Sequence, residues 1–383
     1  MPGIEIESLR ELRVAEPESE QEVSEALRCA DGEGVAVIPR GGGTKLDWGN
    51  PPRRAGLLLS TARLNRIVEH AWADLTVTVE AGCRFAELQR ALAAHGQRLA
   101  LDPLWPEQAT IGGVLSTNDS GAWRLAYGGL RDLIIGMTLV LADGTIARSG
   151  GKVVKNVAGY DLPKLATGAL GTLGVITQAT FRLHPLARNT RTLTLAPADT
   201  AAAQALLLRI QDTNLAHTAL QWRAEAGRPP MLDVLFEGTD AGIAAQTARL
   251  AEVAGRVSVA ELGEAVWRAR QEIADRGSLV KCSVLPAEIA DAMGAIGRTG
   301  DGNWRAVFQA NGIGWISVDG PLEPLRSRIE ARGGSLCVLR RPRGHSPIEA
   351  WGGAGDALPL MRAIKQRFDP KSTLNPGRFV GGI

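Results

Sequence analysis

Apolar residues recur every three or four positions between Glu18 and Ala30, with Val23, Ala26 and Leu27 on one side. This spacing predicts an amphipathic helix, ended by Asp31-Gly32 and Gly34. Val35–Ile38 reads as a short buried strand, Leu57–Leu59 as another, and Thr76–Glu80 alternates with period two like a half-exposed strand. Arg84–His95 carries Phe85, Leu88 and Leu92 on one helical face and is closed by Gly96. Ile134–Leu141 predicts a strand turned by Asp143-Gly144 into the next, Tyr160–Ala166 a short helix, and Gly174–Leu183 a strand. Between them, residues 102–129 show no period and are too long for a plain connection, which points to a functional loop.

The pattern changes near residue 187. Strands are expected at Thr190–Leu195, Leu232–Phe236, Ser278–Val284, Arg305–Gln309, Trp315–Val318 and Ser335–Leu339, and helices at Asp199–Ile210, Ile243–Val253 and Leu262–Ala274. Asp199 is the expected N-cap of the first helix. The division is therefore residues 1–187, an α+β domain at 188–355, and a C-terminal helix with a proline-punctuated arm at 356–383 that returns to the first domain.

Charge and cysteine content narrow the function. Forty-three basic residues against 41 acidic ones give a net charge of +2, which argues against a dedicated nucleic-acid binder. Cys29, Cys83, Cys282 and Cys337 are scattered singly, without the spacing of a zinc or iron–sulfur site. The N-terminus is acidic and lacks the apolar core of a signal peptide. The longest strongly apolar run, Leu133–Ala142, is too short to span a bilayer. A cytoplasmic protein is expected, reaching a membrane only peripherally and through partners.

Three glycine-rich loops, at 39–44, 110–128 and 168–175, each adjoin an expected strand. The first, P-R-G-G-G-T-K-L, fits neither the P-loop, because Lys45 follows Thr44, nor the dinucleotide fingerprint, because Gly49, Pro51 and Pro52 prevent a helix from following. Backbone N–H groups freed by glycine can still converge on an anion without a lysine, and the hydroxyls of Thr44, Thr110, Ser116 and Thr117 can add donors.

The order of four segments carries a resemblance. P-R-G-G-G-T-K-L, L-T-V-T-V-E-A-G, A-T-I-G-G-V-L-S-T-N and K-N-V-A-G-Y-D-L through G-T-L-G-V-I-T, with the tail F-D-P-K-S-T-L-N-P-G-R-F, resemble the FAD-binding domain of the vanillyl-alcohol-oxidase / p-cresol-methylhydroxylase (PCMH) superfamily. The tail is similar to that of its 2-hydroxy-acid dehydrogenase branch. Length and the K-V-V-K-N-V-A-G-Y-D-L-P-K-L stretch resemble the FAD-binding E-subunit family of bacterial glycolate oxidases. The resemblance implies an α+β fold, with a two-subdomain PCMH-type FAD domain and an α+β cap built on an antiparallel sheet. It also implies a complex with a catalytic FAD subunit and an iron–sulfur subunit.

By position, the resemblance assigns Arg40, Gly41, Gly42, Gly43 and Thr44 to the pyrophosphate. It places Thr110, Ile111, Gly112 and Gly113 along the diphosphate and ribityl chain, with Ser116, Thr117, Gly121 and Gly128 lining the same groove. Gly171, Thr172, Gly174, Val175 and Ile176 fall at the adenine end. Because the first loop has no histidine, non-covalent FAD is expected.

The substrate side departs from the family. Where catalytic relatives carry H-x-G-D-G-N-x-H, this chain has R-T-G-D-G-N-W-R, placing Arg298 and Arg305 at the two histidine positions. The remaining local candidates for a carboxylate cation and a base are Arg340, Arg343 and His345, against the alternative of a solvated basic loop. Lys152 and Lys155 precede the G-Y-D-L segment, Leu170 replaces a glutamate common in the superfamily, and Trp105, Trp123 and Trp351 are candidates to shield a flavin or a partner contact.

Overall fold

The computed structural model describes residues 12–151, 160–275, 277–299, 302–341 and 348–383. These form two compact units. The first comprises the chain up to Ser120, Gly128–Leu186 and Gly353–Ile383; the second comprises Gly121–Tyr127 and Ala187–Gly352. The short segment 121–127 thus leaves the long irregular loop and joins the second unit.

The first unit opens with a three-stranded parallel sheet in which β1 (Arg13–Ala15) and β2 (Val37–Arg40) flank β3 (Leu57–Ser60). The helix Glu20–Glu33 packs on it through Val23, Leu27 and Ala30, positions spaced to share one face. Ser19 caps its start by accepting from the Glu22 N–H. The helix runs through Asp31-Gly32 and stops only at Gly34, which takes the left-handed conformation that glycine adopts without cost.

A second, antiparallel sheet has the order β4 (Ile67–Ala71), β5 (Thr76–Glu80), β9 (Val175–Arg182), β7 (Ile134–Val140), β8 (Ile146–Gly150). The two-stranded ribbon of β6 (Gln97–Arg98) and β10 (His184–Pro185) lies apart from it. Val77, Val79, Leu139, Ala179 and Phe181 of the second sheet form a core with Phe85, Leu88 and Leu92 of the helix Phe85–Ala93. Ile111, Val114 and Leu115 join the same core from a helix, Ile111–Thr117, inside the stretch that reads as irregular. Two glycines, a serine and a threonine give this segment little intrinsic helicity. Thr110 as N-cap and the three buried apolar side chains override that.

The second unit is built on one eight-stranded antiparallel sheet. Its strands are β11 (Asn189–Ala196), β12 (His217–Glu225), β13 (Met231–Gly238), β14 (Ser258–Leu262), β15 (Ser278–Ser283), β16 (Trp304–Gln309), β17 (Ile313–Val318) and β18 (Ser335–Arg340). They lie in the order β14-β11-β13-β12-β16-β17-β15-β18. One face, with Leu193, Leu220, Trp222, Val234, Phe308 and Ile316, packs against the helices Thr200–Gln211, Asp240–Ala254, Ile289–Thr299 and Leu322–Glu330. The opposite face carries a polar cluster. The fully buried Asp233 accepts from Thr194 Oγ1 at 2.7 Å, Gln221 Nε2 at 2.9 Å and Arg223 Nη2 at 2.9 Å. Leu262, expected to open a helix, instead ends the exposed edge strand β14.

Candidate functional site

The C-terminal end of β2 and the loops after it form one wall of an open cleft in the first unit. The helix Ile111–Thr117 and the turn before β9 form the others. Fourteen of the residues expected at a cofactor line it: Arg40–Thr44 from the first loop, Thr110, Gly112, Gly113, Ser116 and Thr117 from the second, and Gly171, Gly174, Val175 and Ile176 from the third. Segments more than 100 positions apart in sequence therefore meet around one space.

Each loop is shaped by contacts that leave no room for a side chain. A Cβ on Gly42 would sit 1.9 Å from the Gln108 carbonyl oxygen, and one on Gly41 would sit 2.1 Å from Thr110 Oγ1. On Gly112 it would press on Ala81, 2.9 Å from the methyl and 3.1 Å from the carbonyl, which already accepts the Gly112 N–H. The first and second loops thus approach backbone to backbone. Among the described residues, the N–H groups of Gly41, Gly42, Gly43 and Thr44 donate to no protein acceptor, and neither does that of Gly171. A row of unengaged N–H groups in a concave wall is a ready anion cradle. It fits a dinucleotide diphosphate.

Four expected residues are not at this surface. Ile111 is buried in the core with its N–H on the Cys83 carbonyl, and Thr172 is buried with Oγ1 on the Ala169 carbonyl, so each supports the wall from behind. Gly128, at φ +79°, serves a turn packed on Asp132, and Gly121 groups with the second unit. Glycine richness alone did not separate turn glycines from cleft glycines.

The sequence reading missed other lining residues: Pro39, Lys45, Leu46, Thr61, Leu170 and Arg378. Lys45 is buried, 3.3 Å from Asp119 Oδ2 and 3.2 Å from the Leu104 carbonyl, with its ammonium 5.8 Å and 5.4 Å from the ring centroids of Trp48 and Trp105. Its charge is thus matched within the wall, and Trp105 packs on this cation. Leu170 sits at φ +52°, donates its N–H to the Ser116 carbonyl and accepts from Asn375 Nδ2 at 2.7 Å. Its backbone ties the third loop to the second and to the C-terminal arm.

Of the candidates for substrate chemistry, Arg340 lies in the second unit. Arg340 donates from its guanidinium to the carbonyls of Ala274 and Gly277, contacts that brace the end of β18. Arg343 and His345 lie outside the described residues, as do Lys152, Lys155 and the Gly300-Asp301 half of the G-D-G-N motif. Arg305 pairs with Glu225 at 3.2 Å, and Asn303 donates to Asp319 at 2.9 Å. Trp123 packs with Ala122, Ala219 and Leu235. The described residues contain no cluster of three or more His, Cys, Asp or Glu able to hold a metal ion, and no described helix is long and apolar enough to cross a membrane.

This architecture defines a class. Residues 12–150 match the FAD binding domain family and residues 352–379 match the C-terminal domain of FAD linked oxidases. The chain thus carries an FAD binding domain, and FAD is its cofactor. Among individual proteins it is 39 % identical over 180 residues to glycolate oxidase subunit GlcD of Bacillus subtilis, an alignment covering 47 % of this chain and 38 % of that protein. The chain therefore aligns with well under half the length of that relative. It is 29 % identical to a D-lactate dehydrogenase of Archaeoglobus fulgidus over 96 % of this chain and 91 % of the relative. To a D-2-hydroxyglutarate dehydrogenase of Xanthomonas citri it is 28 % identical over 96 % and 89 %. In fold it superposes on alkyldihydroxyacetonephosphate synthase with a TM-score of 0.72 at 18 % identity, covering 96 % of this chain and 77 % of that one.

Proposed function

We propose that the chain is the FAD-binding subunit of a multi-subunit oxidoreductase that converts glycolate, or a close 2-hydroxy acid, to the 2-oxo acid. The observation that carries the cofactor half is the row of unengaged N–H groups at Gly41–Thr44, walled by loops that only glycine permits. Support for the substrate class comes from the relatives, whose names share a 2-hydroxy-acid substrate. When bound, FAD supplies the acceptor for the hydride leaving the hydroxyl-bearing carbon. This chain's part is to bind and orient it: the first loop takes negative charge on backbone dipoles, and Ile111, buried in the core, anchors the second loop that Gly41 abuts.

Two described cations of the second unit are in keeping with complex membership. Arg340 is committed to the carbonyls of Ala274 and Gly277, and Arg305 to Glu225, so neither offers a clear fork to a substrate carboxylate. A base and a carboxylate clamp are then expected from a catalytic flavin subunit, with an iron–sulfur subunit taking the electrons onward.

Mixing the purified, FAD-loaded chain with glycolate and a dye acceptor tests this. The expected result is a flavin that stays oxidised alone and bleaches once the partner subunits are added. Bleaching by the chain alone would establish a self-sufficient dehydrogenase instead. A flavin that stays oxidised in both settings would leave a structural, non-redox role.

A further inference from the structure

The C-terminal arm does more than close the first unit. From Asp369 onward it threads beside β2: the Val37 N–H donates to the Thr373 carbonyl, and the Asn375 N–H returns to the Val37 carbonyl. Asp369, fully buried, fixes the start of the arm by accepting from the N–H groups of Thr373 and Leu374 at 2.8 Å and 2.7 Å and from Lys365 Nζ at 2.6 Å. The arm reaches the cleft at Arg378. This side chain is 3 % exposed, lines the cleft and donates to three carbonyls just downstream of the first loop. Nε reaches the Trp48 oxygen at 3.1 Å, and Nη2 reaches the Lys45 and Leu46 oxygens at 3.1 Å and 2.8 Å.

Gathering three carbonyls on one cation turns their oxygens toward the guanidinium, and the N–H groups just upstream, at Gly41–Thr44, are the ones left unengaged in the cleft. A guanidinium supplies the flat, multi-donor fork that this requires, whereas an ammonium offers a single point of charge. Burial pushes the Arg378 guanidinium down to about 10, which still leaves it charged at neutral pH.

We propose that Arg378 is a positioning residue of the flavin diphosphate: it sets the first glycine loop in its anion-binding shape, so that docking of the C-terminal arm and binding of FAD reinforce one another. The idea rests on FAD binding in this cleft. It adds that a residue 330 positions from Trp48 controls the affinity.

The full-length chain allows the test. FAD affinity is read from quenching of flavin fluorescence, ADP affinity from competition, and arm docking from hydrogen exchange at the amides of residues 373–378. Arg378→Gln is expected to weaken FAD and ADP together by at least about tenfold, roughly 1.4 kcal/mol. Arg378→Lys should recover only part of the loss. In the unaltered chain, adding FAD should slow exchange across the arm, and in Arg378→Gln it should not.

Unchanged affinities in Arg378→Gln would overturn the proposal. So would a variant whose Tm falls equally with and without FAD while its Kd stays fixed, since that marks a purely structural residue. If the glutamine variant fails to fold, the unaltered chain decides: exchange in the arm that ignores FAD overturns the coupling. An unaltered chain that binds no FAD would instead remove the cofactor assignment on which the idea stands.

Discussion

The cleft of the first unit and the polar cluster around Asp233 in the second are both concentrations of hydrogen-bonding groups, yet they are made differently. The cleft is built from main-chain N–H groups exposed by removing side chains, and its walls touch where a single methyl would collide with a carbonyl. The Asp233 cluster is built from side chains on three adjacent strands, each satisfied by another, around one buried carboxylate. The first is pre-shaped but unsatisfied, which is what a binding site needs. The second is satisfied within the protein, which is what a scaffold needs. Polar density by itself therefore does not identify a site; the balance of donors against acceptors does.

The comparison can be broken most sharply at Gly42. Its added Cβ would meet backbone atoms of Gln108, at 1.9 Å and 3.0 Å, with no flexible side chain to give way. Gly42→Ala is expected to abolish FAD binding, read as loss of the bound flavin spectrum, and to destabilise the first unit by about 1–3 kcal/mol. A variant that binds FAD normally would show that the two loops need not touch.

Asp233→Ala should be more damaging to stability but silent on the cofactor. It strands Arg223 and Gln221 without their carboxylate, at a cost of about 3–5 kcal/mol in urea melts. The protein that remains folded should keep its flavin spectrum. Flavin loss out of proportion to unfolding would contradict a purely scaffolding role.

The smallest effect is a pH slope at the start of β12. Burial holds His217 below its ordinary value of 6.5, opposed in part by the hydrogen bond between its ring and the Leu215 carbonyl. In the window below 6.5 the unfolded chain binds the proton more readily than the fold does, so this histidine's contribution to stability rises with pH there and is complete above 6.5. Replacing it by Asn should flatten the rise below pH 6.5. An unaltered slope would assign the rise to other groups.

The same contrast explains what could be read from the chain before folding. Loops whose chemistry lies in the backbone leave an ordered glycine signature, and Gly41–Gly43, Gly112-Gly113 and Gly171–Gly174 are visible as such. Side-chain partnerships across strands leave almost none: Asp233 and Gln221 look like ordinary polar positions of two strands. Arg378 was hidden for a related reason. Its three partners lie in a loop 330 to 333 residues earlier, and nothing in N-P-G-R-F points there. Local propensity misled at Ile111–Thr117, where burial made a helix from glycine-rich sequence, and at Leu262, where a helical pattern met the edge of a sheet.

The route of the C-terminal arm has a consequence for synthesis. A ribosome delivers β2 and the glycine loop early, but the residues that fasten them, Asp369 through Arg378, emerge more than 300 positions later. Contacts so distant in sequence form slowly, and the domain to which they belong must wait for them with part of its core uncovered. A chain stalled before the arm is expected to lack the bonds from Thr373 and Asn375 to β2 and from Arg378 to the segment after the glycine loop, leaving the edge of its parallel sheet uncovered.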